Sequence, residues 1–210
     1  RFPLESSQWN DTDDDGYGDN QTGYQADACP EVFGNSTIPV FGCIDGDGDG
    51  VRDEDDAFPI DPSRSRDDDG DGFDDSEDDC WDIAGNSTED RTGCVDSDGD
   101  GYSDADLNWS IGDGADGLPE EPTQWLDQDG DGFGDNSTGF QPDACPVEAG
   151  NSTTPVFGCS DRDGDGVEDS VDDFPDDKLR SGDADDDGFD NDEDDCFNTT
   201  GTSTGVFNGT

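Results

Sequence analysis

Residues 96–104 read "DSDGDGYSD": aspartates at Asp96, Asp98, Asp100 and Asp104, with glycine at Gly99 and Gly101. A hard divalent cation takes six to eight oxygens at about 2.3–2.6 Å. One short loop supplies them if carboxylates come from positions 1, 3, 5, 9 and 12 and a backbone carbonyl from position 7, with Gly at 6 for the sharp turn. The pattern D-x-D-x-D-G-x-x-[DN] begins at Asp11, Asp45, Asp67, Asp96, Asp127, Asp161 and Asp183, and Gly fills position 6 in all seven motifs.

Each motif is closed by a further aspartate, followed two residues later by Cys or an apolar residue, as in "DACP", "DAFP" and "DDC". In the motifs starting at Asp11, Asp96 and Asp127 a short insertion delays that residue beyond position 12. The first motif offers Asp11, Asp13, Asp15, the Tyr17 carbonyl, Asp19 and Asp27; the second offers Asp45, Asp47, Asp49, Val51, Asp53 and Asp56. The third offers Asp67, Asp69, Asp71, Phe73, Asp75 and Asp78, and the fourth Asp96, Asp98, Asp100, Tyr102, Asp104 and Asp116. Asp127, Asp129, Asp131, Phe133, Asp135 and Asp143 form the fifth set, and Asp161, Asp163, Asp165, Val167, Asp169 and Asp172 the sixth. The seventh has Asp183, Asp185, Asp187, Phe189 and Asp194, with Asn191 in place of aspartate at position 9. The chain has no His, and its Cys are expected to pair, which argues against zinc or copper. Magnesium prefers rigid octahedral sites that keep waters, so calcium is expected, one to two ions per motif.

Composition sets the problem those ions would solve. The chain has 210 residues, 61 acidic against 8 basic, and a formal net charge of -53. Leu, Ile, Val and Phe number 31, below the level at which a highly charged chain builds a conventional core. Carboxylates about 4 Å apart repel by roughly 1 kcal/mol in water and about 4 kcal/mol at an effective dielectric of 20. Ligation is therefore expected to supply much of the folding free energy. An acidic run without a site would be a solvated tail, but such runs lack fixed spacing. Nucleic acid is excluded as a partner by charge, and no apolar stretch suggests membrane insertion.

A longer period encloses the short one. "QWNDTDDDGYGDN" from Gln8 returns as "QWLDQDGDGFGDN" from Gln124, and Cys29, Cys43 and Cys80 return at Cys145, Cys159 and Cys196. Such a period signals an array. Residues 1–7 read as the tail of a preceding repeat, 8–123 as a first superrepeat with four motifs, and 124–210 as a truncated second with three. "FPLESSQW" from Phe2 matches "LPEEPTQW" from Leu118, and Thr210 falls where the period places a cysteine. Head-to-tail assembly with copies of itself, or continuation into further repeats, is the expectation.

At "DGDGDGVRDEDDAFP" from Asp45, "DDDGDGFDDSEDDC" from Asp67 and "DRDGDGVEDSVDDFP" from Asp161 the sequence resembles the thrombospondin type 3 repeat, over nearly its whole length. The resemblance implies an irregular chain with little regular secondary structure, wrapped around lines of calcium ions, often two per repeat, with disulfides tying neighbours together. No stretch between motifs has helical periodicity, so EF-hands are disfavoured. The sequence departs from that family in its 116-residue superperiod, its three insertions and Asn191, which is expected to weaken its site. The fold class expected is therefore an elongated tandem array of calcium-binding repeats.

Cys29 and Cys43, Cys80 and Cys94, Cys145 and Cys159 are each 14 residues apart. Disulfides at these pairs are predicted, each closing a loop worth about 3 kcal/mol; pairing between repeats is the rival connectivity. Cys196 is left over. Each such loop carries Asn-Ser-Thr, at Asn35, Asn86 and Asn151, and further sequons stand at Asn10, Asn20, Asn108, Asn136, Asn198 and Asn208. Glycosylation is expected at the three loop sites above all, with covalent glycans implying an exported protein. Trp9, Trp81, Trp109 and Trp125 are expected to pack against neighbouring repeats.

No catalytic role is expected, since every aspartate cluster has a metal role. The sequence points to a calcium-stabilised, N-glycosylated extracellular structural protein, a segment of a filament or fibre. The alternatives are a spacer or stalk of a cell-surface adhesin, or an acidic calcium-storage or matrix protein.

Overall fold

Gly, Asp and Pro interrupt every stretch long enough to propagate a helix, and charge rather than apolar alternation fills the rest, so neither periodic pattern gets started. The structure, a computed structural model, describes residue 2 and residues 4–201. Among these the chain is almost entirely turns and bends. The regular pieces are one 3-10 turn, Ile111–Asp113, and isolated parallel bridges such as Asp27 to Phe41 and Ile38 to Val51. The sequon Asn208 and the position Thr210 lie outside the described residues.

The chain forms two compact units, Arg1–Val95 and Asp96–Thr210. The first holds three motifs and the second four. In both, the usual inside and outside are exchanged. The buried apolar residues are Cys43, Cys94, Cys159 and Ala115, whereas Asp27, Asp45, Asp56, Asp116, Asp143 and Asp161 are among the buried polar ones. Leu4, Ile60, Leu107 and Leu179 lie in solvent. Among the described residues there is no oily interior to order the chain, and the constraints are local.

Disulfides provide one class of constraint. Cys29–Cys43, Cys80–Cys94 and Cys145–Cys159 are bonded, so pairing stays within each loop rather than crossing between repeats. Cys196 is unpaired and exposed. Arginine clasps provide a second. The Arg64 guanidinium lies 3.8 Å over the Phe58 ring in the tail of the second motif and donates to the Gly72 carbonyl of the third at 2.6 Å. Arg180 does the same between Phe174 and Gly188. Of the tryptophans, Trp125 stacks on Tyr102 at 5.2 Å, while Trp9 and Trp81 are 69 % and 51 % exposed.

Close approach also fixes glycines in each disulfide loop. A Cβ on Gly34 would lie 2.2 Å from the Cys43 carbonyl group, and one on Gly150 would lie 2.1 Å from that of Cys159. Gly48 instead faces open space but has φ +87°. Gly150→Ala is expected to destabilise the folded chain by about 3 kcal/mol, since backbone cannot yield. Gly48→Ala costs only the left-handed backbone penalty, about 1 kcal/mol. Denaturant unfolding of the two variants checks the order.

Candidate metal centres

Each motif is a loop tied to itself by its own aspartates. The position-1 carboxylate bridges two backbone donors: Asp45 Oδ1 accepts the Gly48 N–H at 2.7 Å and Oδ2 accepts that of Gly50 at 3.0 Å. Asp67, Asp96, Asp127 and Asp161 repeat both bonds. The position-5 Oδ1 accepts the N–H of position 7 in all seven motifs, from Asp15 with Tyr17 to Asp187 with Phe189. The N–H two residues beyond the closing aspartate donates to that residue's Oδ1 in all seven, as Cys29 does to Asp27 at 2.7 Å. These are the Asx turns that make aspartate a turn residue.

The bonds aim the remaining oxygens inward. Carboxylate oxygens at positions 1, 3 and 5 lie within 4.8 Å of one another in the motifs beginning at Asp11, Asp45, Asp67, Asp96 and Asp127. At position 3, Oδ2 of Asp13, Asp47, Asp69, Asp98, Asp129 and Asp163, and both oxygens of Asp185, are shut from solvent with no hydrogen-bond partner. The same holds for Oδ2 of the closing residues Asp27, Asp56, Asp116, Asp143 and Asp172, which are themselves 8 % exposed or less. The position-7 carbonyls accept no backbone hydrogen bond among the described residues. Burying an unpaired carboxylate oxygen is costly, and a pocket of several demands either protons or a cation.

The insertions do not disturb this geometry. In the motifs at Asp11, Asp96 and Asp127 the backbone N–H of the closing Asp27, Asp116 or Asp143 donates to the position-8 carbonyl of Gly18, Ser103 or Gly134 at 2.8–2.9 Å. Asp78, Asp172 and Asp194, which have no insertion, make the same bond. The extra residues loop out and the closing aspartate returns to one place.

Position 9 has a different duty. Its side chain accepts the N–H of position 2 across the loop, as in Asp53 with Gly46 at 2.6 Å and Asp75 with Asp68 at 2.8 Å. Asp19, Asp104 and Asp169 do likewise. Asn191 Oδ1 accepts the Ala184 N–H at 2.9 Å, so the amide reproduces the tie that its aspartate counterparts make. What it lacks is charge.

Sequence reasoning missed two buried supports. Asp74, at position 8 of the third motif, accepts the N–H groups of Ser65, Arg66 and Ser76 and the Ser76 hydroxyl; Asp190 holds the matching place in the seventh motif. In the first and fifth motifs position 8 is Gly, and the space is filled by Gln8 and Gln124. Gln124 Oε1 accepts the Asn136 N–H, and its Nε2 donates to the Asn136 and Phe140 carbonyls. The recurring "QW" was visible; its role was not.

The sequons also prove to be structural. Ser36, Ser87 and Ser152 are wholly buried, and each Oγ accepts the N–H of the loop's second cysteine at 3.0 Å. The recurrence of Asn-Ser-Thr therefore has a packing cause that needs no glycan. Asn35, Asn86, Asn151, Asn10, Asn108 and Asn198 are exposed. Asn20 and Asn136 are half-buried and donate to the carbonyls of Ser7 and Thr123.

Electrostatics separates the two kinds of buried aspartate. Burial, with the nearby carboxylates of Asp98 and Asp104 adding to it, pushes the Asp116 carboxyl up to about 7. Burial, aided by Asp15, Asp13 and Asp19, raises Asp27 to about 6. Asp56, Asp78, Asp143 and Asp172 are raised for the same first reason. Asp74 is buried too, yet its four donors outweigh burial and hold it well below the usual carboxylate range. The chain matches no protein-family model and no curated protein sequence, so the geometry itself carries the reading.

A carboxyl raised by folding favours the folded state while protonated, an advantage present below about pH 4 and lost as pH rises through the folded value. In chelator, the chain is expected to be most ordered near pH 4, where the raised carboxyls are protonated while Asp74 and Asp190 keep their charge, and to loosen as pH rises through 6–7; circular dichroism against pH measures it. Asp116→Asn should stabilise the chelated chain at pH 8, while Asp74→Asn should cost it about 2 kcal/mol at the same pH. With calcium the pH trend inverts, because the proton must leave first. Affinity at the fourth motif should fall about 50-fold from pH 7 to pH 5 if Asp116 sets it.

Proposed function

We propose that this chain is a calcium-binding structural protein whose ions take the place of an apolar core, built and used in the manner of thrombospondin type 3 repeats. The observation that carries the reading is the repeated inward set of carboxylate oxygens without partners, present at position 3 of all seven motifs. An all-oxygen donor set of carboxylates and a free carbonyl suits calcium above softer metals. The residues of positions 1, 3, 5 and 7 and the closing aspartate would hold the ion, and position 9 would complete the charge while tying the loop. The disulfides are compatible with an exported protein, and among the described residues no helix is long and apolar enough to cross a membrane. The role assigned is mechanical: a glycosylated extracellular segment of a fibre or longer array, stiff with calcium and loose without it.

Chelation tests this directly. On adding EGTA at pH 7.5 the hydrodynamic radius is expected to grow, protease resistance to fall and the near-ultraviolet dichroism to fade, all restored by calcium and not by equal ionic strength of sodium. Unchanged values in all three would overturn the metal-core reading. Electron microscopy in calcium and in EGTA addresses the fibre, which is expected only in calcium.

A further inference from the structure

In each unit two consecutive residues of a disulfide loop touch two different motifs. In the first unit the Gly34 N–H donates to Oδ2 of Asp15, the position-5 carboxylate of the first motif, at 3.3 Å. The next residue, Asn35, donates from Nδ2 to Oδ2 of Asp45, the position-1 carboxylate of the second motif, at 3.2 Å. In the second unit Gly150 and Asn151 make the same contacts to Asp131 and Asp161, at 2.8 and 3.2 Å.

The span between the two contacts is stiff. Gly34 and Gly150 lie against cysteine backbone with no room for a side chain. The Asn35 and Ser36 N–H groups both donate to the Cys43 carbonyl, and Asn151 and Ser152 do the same to Cys159. The far side of the loop presses on the closing ligand: a Cβ on Gly42 or Gly158 would sit within 2.2 Å of Oδ1 of Asp27 or Asp143. The ring at position 7 leans on the loop as well, Tyr17 on Phe41 at 5.4 Å and Phe133 on Phe157 at 5.6 Å. Whatever fixes the carboxylates of one motif thus fixes the loop, and the loop fixes the first carboxylate of the next.

We propose that Gly34–Asn35 and Gly150–Asn151 are coupling bridges. A calcium ion in the first motif of each pair raises the affinity of the second, and Asn35 and Asn151 are positioning residues for that purpose. The proposal rests on the metal-binding reading above. Its physical basis is shared ordering: the first ion fixes the loop, so the second spends less of its binding free energy on fixing Asp45 or Asp161. The coupling is reciprocal by linkage. The bridging atom is also the acceptor nitrogen of the Asn-Ser-Thr sequon, so a glycan there takes one of the two hydrogens from which the bridge is made.

The test is a calcium titration of the full chain followed by nuclear magnetic resonance at the position-6 glycine amides, which report each motif separately. Asp13→Ala, which disables the first motif, is expected to raise the calcium midpoint read at Gly50 at least about fivefold. In an Asn35→Ala background the same Asp13→Ala change is expected to move Gly50 less than about twofold, closing a double-mutant cycle on the bridge. Expression in a host without N-glycosylation leaves Asn35 bare with Thr37 in place against Gly50, and should preserve the full coupling. Asp129→Ala with Asn151→Ala, read at Gly166, repeats the cycle in the second unit should the first set fail to fold. Equal shifts at Gly50 with and without Asn35, or no shift while calcium still binds, would overturn the coupling alone. No glycine responding to calcium at any motif would overturn the metal reading as well.

Discussion

Like charges cannot be gathered into a small volume without a partner, and a chain with 61 acidic residues and 8 basic ones has too few partners of its own. The structure answers part of this internally. Backbone N–H groups are turned onto aspartate oxygens throughout the loops, so one oxygen of most motif carboxylates is satisfied by the peptide chain. The other oxygen is what remains. In the position-3 aspartates, and in the closing Asp27, Asp56, Asp116, Asp143 and Asp172, it is shut from solvent without a hydrogen-bond donor, which leaves a demand for positive charge at each of these loops.

Two ways of burying a carboxylate stand side by side, and their contrast gives the loops their meaning. Asp74 and Asp190 are saturated with donors and stay ionised as structural anchors. Asp27 and Asp116 are given one donor each and left with a lone oxygen, which raises their proton affinity. A protein that needed only turns would have used the first arrangement everywhere. The alternation of disulfide loops and arginine clasps between motifs joins local loops into longer units without an apolar core.

Much of this was legible in the sequence because the aspartate loops are local. Spacing, Gly at position 6 and the 14-residue cysteine intervals are read directly along the chain, and the irregular fold and the three disulfides followed from them. What was not legible depends on contacts between distant residues. Nothing in "DGFDDSED" marks Asp74 as an anchor rather than a ligand, because its donors Ser65 and Arg66 precede the motif. The Asn-Ser-Thr triplets gave a strong signal whose structural cause, a buried hydroxyl capping a cysteine amide, is invisible without coordinates. Asn191 read as a weakened ligand, yet its side chain keeps the hydrogen bond that position 9 makes elsewhere.

The excursions after the first, fourth and fifth motifs leave and rejoin the chain at a fixed hydrogen bond, whatever their length. Loop closure grows only slowly more costly with added residues. These segments are therefore natural grafting points, where a foreign peptide could be carried while the loop beneath it keeps its closing hydrogen bond.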